Sequence, residues 1–332
     1  MTQEPPPLSG PNYKDKKTSL IVVGIIQIIM GGFFLMMVPM ILASLAMPQP
    51  GLDGQTQQMS LKTVIPGTVV YLFLAIWFIW MGIGILNARR WARALSLVSA
   101  SLWLAFGIGA LIAIPFIIPG LFEQIAQETG EEMPKAVITV LYVFTFGFLA
   151  FFYLIVPGCF VLYFRNKNVK ATCEHRDPIP RWTDLCPLPV LAVSLAAGVS
   201  LISMPFTLFY NFTFPLFGVI VSGLPGALVS IGMIIAAAYI AWGFYRLSTR
   251  AWWTAATLAV LFSISTLISF SRISFIDLYE KMDFPEEQIV QLEQMNFFQG
   301  PGMHVITLLW LIVILGYFIY IRKYFQASHT SP

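Results

Sequence analysis

Hydrophobic and polar positions fall in blocks along this chain rather than at a helical or strand period. Eight windows hold no Asp, Glu, Lys or Arg: Ser19–Met47, Val64–Leu86, Ala94–Ile118, Ala136–Phe164, Leu188–Phe209, Gly226–Tyr245, Ala251–Phe270 and Met303–Ile321. Charge gathers in the short stretches between them. A helix rises about 1.5 Å per residue and the hydrocarbon core of a bilayer is about 30 Å thick, so each window can cross as a helix. The pattern predicts an all-α transmembrane fold, an eight-helix bundle.

Composition agrees. Of 332 residues, 58% are hydrophobic and 11% charged, against about 25% charged in soluble domains, which leaves too little polar surface for a globule in water. The net charge of +3 is small and spread out, and no basic stripe or base-stacking motif occurs, so a nucleic-acid partner is set aside. The lipid bilayer is the one partner the composition demands; other membrane proteins remain open, as does the oligomeric state. Three cysteines are too few for a disulfide framework.

Residues 1–18 are proline-rich and polar and end in Lys14, Lys16 and Lys17, which predicts a disordered tail before an uncleaved signal-anchor helix. Basic residues set the orientation, because Lys and Arg are retained on the cytoplasmic side of short loops. With eight spans, the tail, the 2–3, 4–5 and 6–7 loops and the C-terminus share one side. That side holds fifteen of the nineteen bases, all except Lys62, Lys135, Arg272 and Lys281, while eleven of the sixteen acids fall opposite. Both termini are therefore expected in the cytoplasm, with the protein in the inner membrane.

The same small signals recur in order in both halves. Gly32 and Pro39 answer to Gly198 and Pro205, and Pro66-Gly67 to Pro225-Gly226. Gly82, Arg89 and Trp91 answer to Gly243, Arg250 and Trp252, and Leu121-Phe122-Glu123 to Leu278-Tyr279-Glu280. The order continues through Val137-Ile138-Thr139 with Val305-Ile306-Thr307, and through Tyr163 and Arg165 with Tyr320 and Arg322. Four spans per unit give both units the same orientation, so the expected architecture is two parallel four-helix repeats. The divisions are a tail (1–18), a first repeat (19–165), a cytoplasmic linker (166–187), a second repeat (188–323) and a C-terminal tail (324–332). The outer stretch 211–224 is uncharged and aromatic where the first unit has the polar "GLDGQTQQ" (51–58), and it is expected to lie in an interface or dip back into the protein.

Each candidate site has a bland alternative. Gln27 and the Ser and Thr inside spans are read as packing through helix-to-helix hydrogen bonds. Prolines and glycines in spans serve close packing, or open a substrate cavity; Pro39 and Pro205 are the best pair for a symmetric cavity. Arg89, Trp91, Arg250 and Trp252 read as interface anchors, with a lipid-headgroup site as the functional alternative. Both acidic outer stretches, "GLFEQIAQETGEE" and "DFPEEQIVQLEQM", are expected to carry a short surface helix, the second capped by Asp283. Glu123 and Glu280 are the matched acids for a partner contact.

The least generic stretch is "TCEHRDPIPRWTDLCP", residues 172–187. Cys173, His175 and Cys186 are three of the four ligands a structural zinc needs, but Pro178, Pro180 and Pro187 predict an extended, turn-rich connector, so no metal is expected. Its alternating charges are expected to pair locally and hold Trp182 at the membrane face.

The longer stretch "TCEHRDPIPRWTDLCPLPVLA" resembles a linker of bacterial multi-pass membrane proteins of unassigned activity, in which it separates two hydrophobic halves. The resemblance covers about twenty residues; it implies bacterial origin and the two-half layout, and no catalytic residue. No phosphate loop, nucleophile elbow or His-Glu-x-x-His occurs. The sequence thus points to no enzyme and no cofactor. Its reading is a non-enzymatic accessory, sensor or assembly module; the alternative is a transporter or lipid-handling permease with a cavity between the repeats.

Overall fold

The computed structural model describes residues 13–45, 49–50, 56–57, 61–129, 135–284, 289 and 301–327. Eight of its helices are long and apolar enough to cross a membrane. The protein is an all-α multi-pass membrane bundle. In the first half α1 (Lys17–Ala43), α2 (Leu61–Leu86), α3 (Arg90–Thr129) and the pair α4 (Lys135–Ala150) and α5 (Val156–Arg165) follow one another. A linker helix, α6 (Lys167–Arg176), leads to α7 (Leu188–Ser203), α8 (Gly223–Tyr245), α9 (Thr249–Arg272), the short α10 (Phe275–Lys281) and α11 (Pro301–Ala327).

Successive spans pack side by side in each half, and the halves meet along one seam, where α3 lies against α7 and α11. Among the described residues α9 makes no comparable contact with α1 or α4, so the seam is one-sided. Water gives no drive for helix association inside a bilayer, and small residues that let backbones approach do the work instead. Gly24 and Gly31 of α1 face Gly82 and Ala75 of α2, where a Cβ on Gly31 would come within 2.9 Å of the Ala75 carbonyl oxygen. A buried polar tie across this core runs from Gln27 Nε2 of α1 to Ser96 Oγ of α3 at 3.0 Å.

The turns between α2 and α3 and between α8 and α9 share one geometry. Ala88 and Leu247 take φ of 48° and 55°, the Arg89 N–H donates to the Gly84 carbonyl at 2.9 Å, and the Ser248 N–H donates to the Gly243 carbonyl at 2.7 Å. This six-to-one closure is a Schellman cap. Each glycine is needed because the returning helix lays Ala92 or Ala251 against it. The turns equate Gly84 with Gly243, two residues out of the register that pairs Arg89 and Trp91 with Arg250 and Trp252. Counted from these glycines Arg93 and Trp252 hold the same position, and each donates to a phenylalanine carbonyl of another helix: Arg93 to Phe164 of α5 at 3.0 Å and Trp252 to Phe318 of α11 at 3.0 Å.

Several segments differ from their expected form. Span three does not stop at Ile118, since α3 runs on through Pro115 and Pro119 to Thr129 and absorbs the first expected surface helix. Asp283 closes α10, with a left-handed φ of 63° and an N–H that donates to the Glu280 carbonyl at 3.0 Å; the start of the helix it is expected to cap lies outside the described residues. The remainder of "DFPEEQIVQLEQM" lies almost wholly outside the described residues. The C-terminal tail begins late, because α11 continues to Ala327 and buries Phe325.

Span four contains a π-turn over Phe151–Ile155. Pro157 has no N–H for the Tyr153 carbonyl four residues earlier, and widening the helix there absorbs the mismatch. Gly107 of α3 then packs directly on that freed carbonyl. The 211–224 stretch folds as a hairpin of β3 (Phe214–Leu216) and β4 (Val219–Val221); β1 (Gln49–Pro50) and β2 (Thr56–Gln57) form a smaller pair. Phe217 and Gly218 both have positive φ, as a two-residue type I′ turn requires. Their N–H groups donate to Ser265 Oγ at 2.9 Å and Ser269 Oγ at 3.1 Å, two buried hydroxyls one turn apart on α9. Non-helical backbone at such a position is tolerated only where the protein satisfies it.

Gly107→Ala and Gly226→Ala should each lower the melting point in detergent, at a cost of about 1–3 kcal/mol, because a Cβ would strike the Tyr153 or Phe212 carbonyl oxygen. Gly232→Ala, with open space around it, should melt no lower than the parent. Equal melting of all three proteins would refute these close approaches.

Candidate functional site: the charged cap

The connector begins with a helix, α6, and its proline-bearing part, residues 177–187, runs as bends around one 3₁₀ turn. Asn166 caps α6, its side chain accepting from the Asn168 N–H at 2.8 Å. The inner face of α6 places Val169 and Cys173 in a core with Leu20, Ile85, Ala88, Ala92 and Phe164. Burying that face against the ends of α1, α2 and α5 is what keeps a short polar helix formed. The segment before α1 is tied down as well, which moves the end of the tail back from residue 18. Lys16 N–H donates to Thr172 Oγ1 at 3.0 Å, and Arg176 pairs with Asp15 at 2.8 Å. Residues 1–12 lie outside the described residues.

Asp177 ends α6 and is the hub of the cap, with only 2% of its side chain exposed. Arg181 Nη2 donates to Oδ1 at 2.7 Å and its Nε reaches both carboxylate oxygens. The Arg90 N–H donates to Oδ2 at 3.3 Å, and the Arg89 guanidinium stands 3.6 Å away. Asp177 thus ties the linker to the turn between α2 and α3. Arg90 reaches back to Glu174 at 3.4 Å and Asp184 at 3.7 Å. The charges therefore pair partly within the linker and partly across to Arg89, Arg90 and Asp15. Asp184 Oδ2 also accepts the Arg181 N–H at 2.9 Å, which closes the 3₁₀ turn Trp182–Asp184.

The three metal candidates do not converge. Cys173 is buried in the first-half core, whereas Cys186 belongs to the second-half core with Val190, Phe244 and Trp252. His175 is exposed beside Tyr13, with ring centroids 6.1 Å apart. Among the described residues no three His, Cys, Asp or Glu side chains form a metal-sized group. All three cysteines are free, and burial pushes the Cys173 and Cys186 thiols up to about 11.

Pro39 and Pro205 are both exposed, in α1 and in the 3₁₀ segment Met204–Tyr210. An apolar cavity at the seam lies elsewhere, between α3 and α11: it measures about 200 Å³ and is lined by Ala105, Gly109 and Trp310 among others. Glu123 sits on the extension of α3, and its side chain is outside the described residues. Glu280 is exposed and shares a polar surface pocket with Asn211, Lys281 and Asp283. The anchors divide. Arg89 is drawn into the cap and Trp91 stacks on Trp80 at 4.4 Å, while Arg250 is exposed and Trp252 buried.

Sequence reading missed Arg93, Ser265 and Ser269. A lone Arg at the edge of an apolar window and two serines at helical spacing were the available signals.

The Arg181 hydrogen bonds, opposed by burial and helped by the Arg90 N–H and the Arg89 charge, hold the Asp177 carboxyl below the usual carboxylate range. A depressed carboxyl adds stability that is present above its unfolded value of about 3.9 and is lost as pH falls through the folded value. Asp177→Asn should therefore lower the melting point at pH 7, at a cost of about 1–3 kcal/mol. The gap from the parent should shrink below about pH 4. A pH-independent gap would show that Asp177 acts through something other than its charge. Maleimide labelling of the folded protein at neutral pH should be slow at Cys173 and Cys186 and fast after denaturation; rapid labelling of either in the native state would contradict their burial.

Comparison with protein-family models, with curated proteins and with solved structures finds no match to this chain.

Proposed function

We propose that the protein is a non-enzymatic module of a bacterial inner membrane, an accessory, sensor or assembly subunit that works through contacts made by its charged cap. One observation carries this reading. The cap gathers the segment before α1, the linker and the turn between α2 and α3, yet leaves Ile179, Trp182 and Leu185 exposed at 64%, 42% and 70%. Large apolar side chains on an otherwise charged surface mark a contact site, and aromatic anchors are enriched in such sites. The partner is another membrane protein that presents an apolar segment on the cap side.

The cap side is the cytoplasmic side by its basic residues, and both termini share it. The two halves descend from one four-span unit; the twin Schellman turns and the paired Arg93 and Trp252 hydrogen bonds support this. The linker's resemblance to bacterial multi-pass proteins supports the origin. Reporter fusions after Arg90, Glu132 and Arg181 should read in, out and in. Photocrosslinkers in place of Ile179 and Leu185 in native membranes should capture a discrete partner that is not captured from Ile25, an exposed residue of α1. Equal capture from all three positions would count against the cap as a contact site.

The seam cavity favours a second reading, a lipid-handling permease. Its walls at Ala105, Gly109, Ile306 and Trp310 are apolar and belong to both halves. If lipid passes there, Gly109→Leu should slow exchange of a labelled phospholipid between leaflets of liposomes at least tenfold. Exchange no faster than in protein-free liposomes would exclude this reading.

A further inference from the structure

The two halves treat their cations differently at the end of the bundle that carries the cap. On the cap Arg89, Arg90, Lys170, Arg176 and Arg181 all meet carboxylates. Beside it, at the turn between α8 and α9 and the end of α11, stand Arg246, Arg250, Arg322 and Lys323. All four are exposed, and none forms an ion pair among the described residues.

Three of these cations rest on aromatic rings instead. The Arg246 guanidinium lies 4.9 Å from the Trp242 ring, Arg322 lies 5.6 Å from Trp252 and 5.9 Å from Trp253, and Lys323 lies 4.5 Å from Tyr320. A ring face holds a cation in place without consuming its N–H groups. The guanidinium fork therefore stays free, and it matches the geometry of a phosphate. Trp242, Trp253 and Tyr320 are themselves exposed at the end of apolar spans, where amphipathic rings settle at headgroup depth.

We propose that Arg246, Arg250, Arg322 and Lys323 form a binding site for the headgroup of an anionic phospholipid. Charge complementarity favours an anion, and the exposed rings beside the cations favour one that carries acyl chains. A soluble polyanion would leave those rings unmatched. The site is separate from the cap contact and from the seam cavity, and does not depend on either reading.

The test uses the full chain in detergent, with native mass spectrometry counting retained lipid and a thermal melt reporting stabilisation. Phosphatidylglycerol should bind and raise the melting point, phosphatidylcholine should do so at least about tenfold more weakly, and added salt should weaken phosphatidylglycerol binding. The quadruple variant Arg246→Gln, Arg250→Gln, Arg322→Gln, Lys323→Gln should lose the preference. Removing Arg165 and Lys167 as glutamines, two exposed cations without rings beneath them, should not. If the quadruple variant fails to fold, Lys323→Gln alone should weaken phosphatidylglycerol binding in the folded protein. Equal retention of both lipids by the parent, loss of preference in the Arg165 and Lys167 variant, or full displacement by about 10 mM inorganic phosphate would overturn the proposal.

Discussion

Association of helices without help from water is the constraint on which this structure rests. Inside a bilayer the lipid is as apolar as a leucine side chain, so spans adhere through close packing and a few hydrogen bonds. The contacts bear this out in kind. Gly24 and Gly31 admit α2, Gly84 admits Ala92, Gly243 admits Ala251, and Gly107 sits on the Tyr153 carbonyl, to which Pro157 offers no N–H. Polar groups inside the bundle are few, and most bind a neighbouring helix or turn: Gln27 to Ser96, Ser194 to the Ala241 carbonyl, Trp252 to the Phe318 carbonyl. Charge is pushed to the ends, where it is organised by the fold.

That organisation differs between the halves. At one end Asp177, buried and gripped by Arg181, draws the linker onto the turn between α2 and α3 and brings the start of α1 with it. Exposed ion pairs contribute little singly, but a carboxylate with almost no water contact is costly to strand, which makes this cap a single unit. The neighbouring cations of the second half have no such partner among the described residues, and Arg246, Arg322 and Lys323 rest on tryptophan and tyrosine rings. The hairpin adds a second feature of the second half, the Phe217 and Gly218 amides seated on Ser265 and Ser269.

Much of this was legible in the residues. The eight apolar windows correspond to the eight spans because length and lack of charge are sufficient conditions for crossing hydrocarbon. The cap was half legible: the alternating charges of "CEHRDPIPRWTD" signalled ion pairs, but their partners at Arg89, Arg90 and Asp15 are distant in sequence. The prolines pointed to an extended, turn-rich connector, but local preference says nothing of the core that α6, just before them, finds against Leu20 and Phe164. The likeness of the two turns was hidden for a similar reason: Arg-x-Trp recurs in the sequence, whereas the turns themselves match where a glycine cap and the returning alanine meet.

The sequence by itself determined the solvent of this protein, the number of its spans and the places where charge gathers, since each follows from the cost of burying polar groups in hydrocarbon. Only the tertiary structure decided which carboxylate is buried, which cations are left unpaired, where the seam lies and that residues 211–224 form a hairpin on α9. Those depend on side chains from distant segments arriving at the same point, and a span's own composition carries no record of its neighbour.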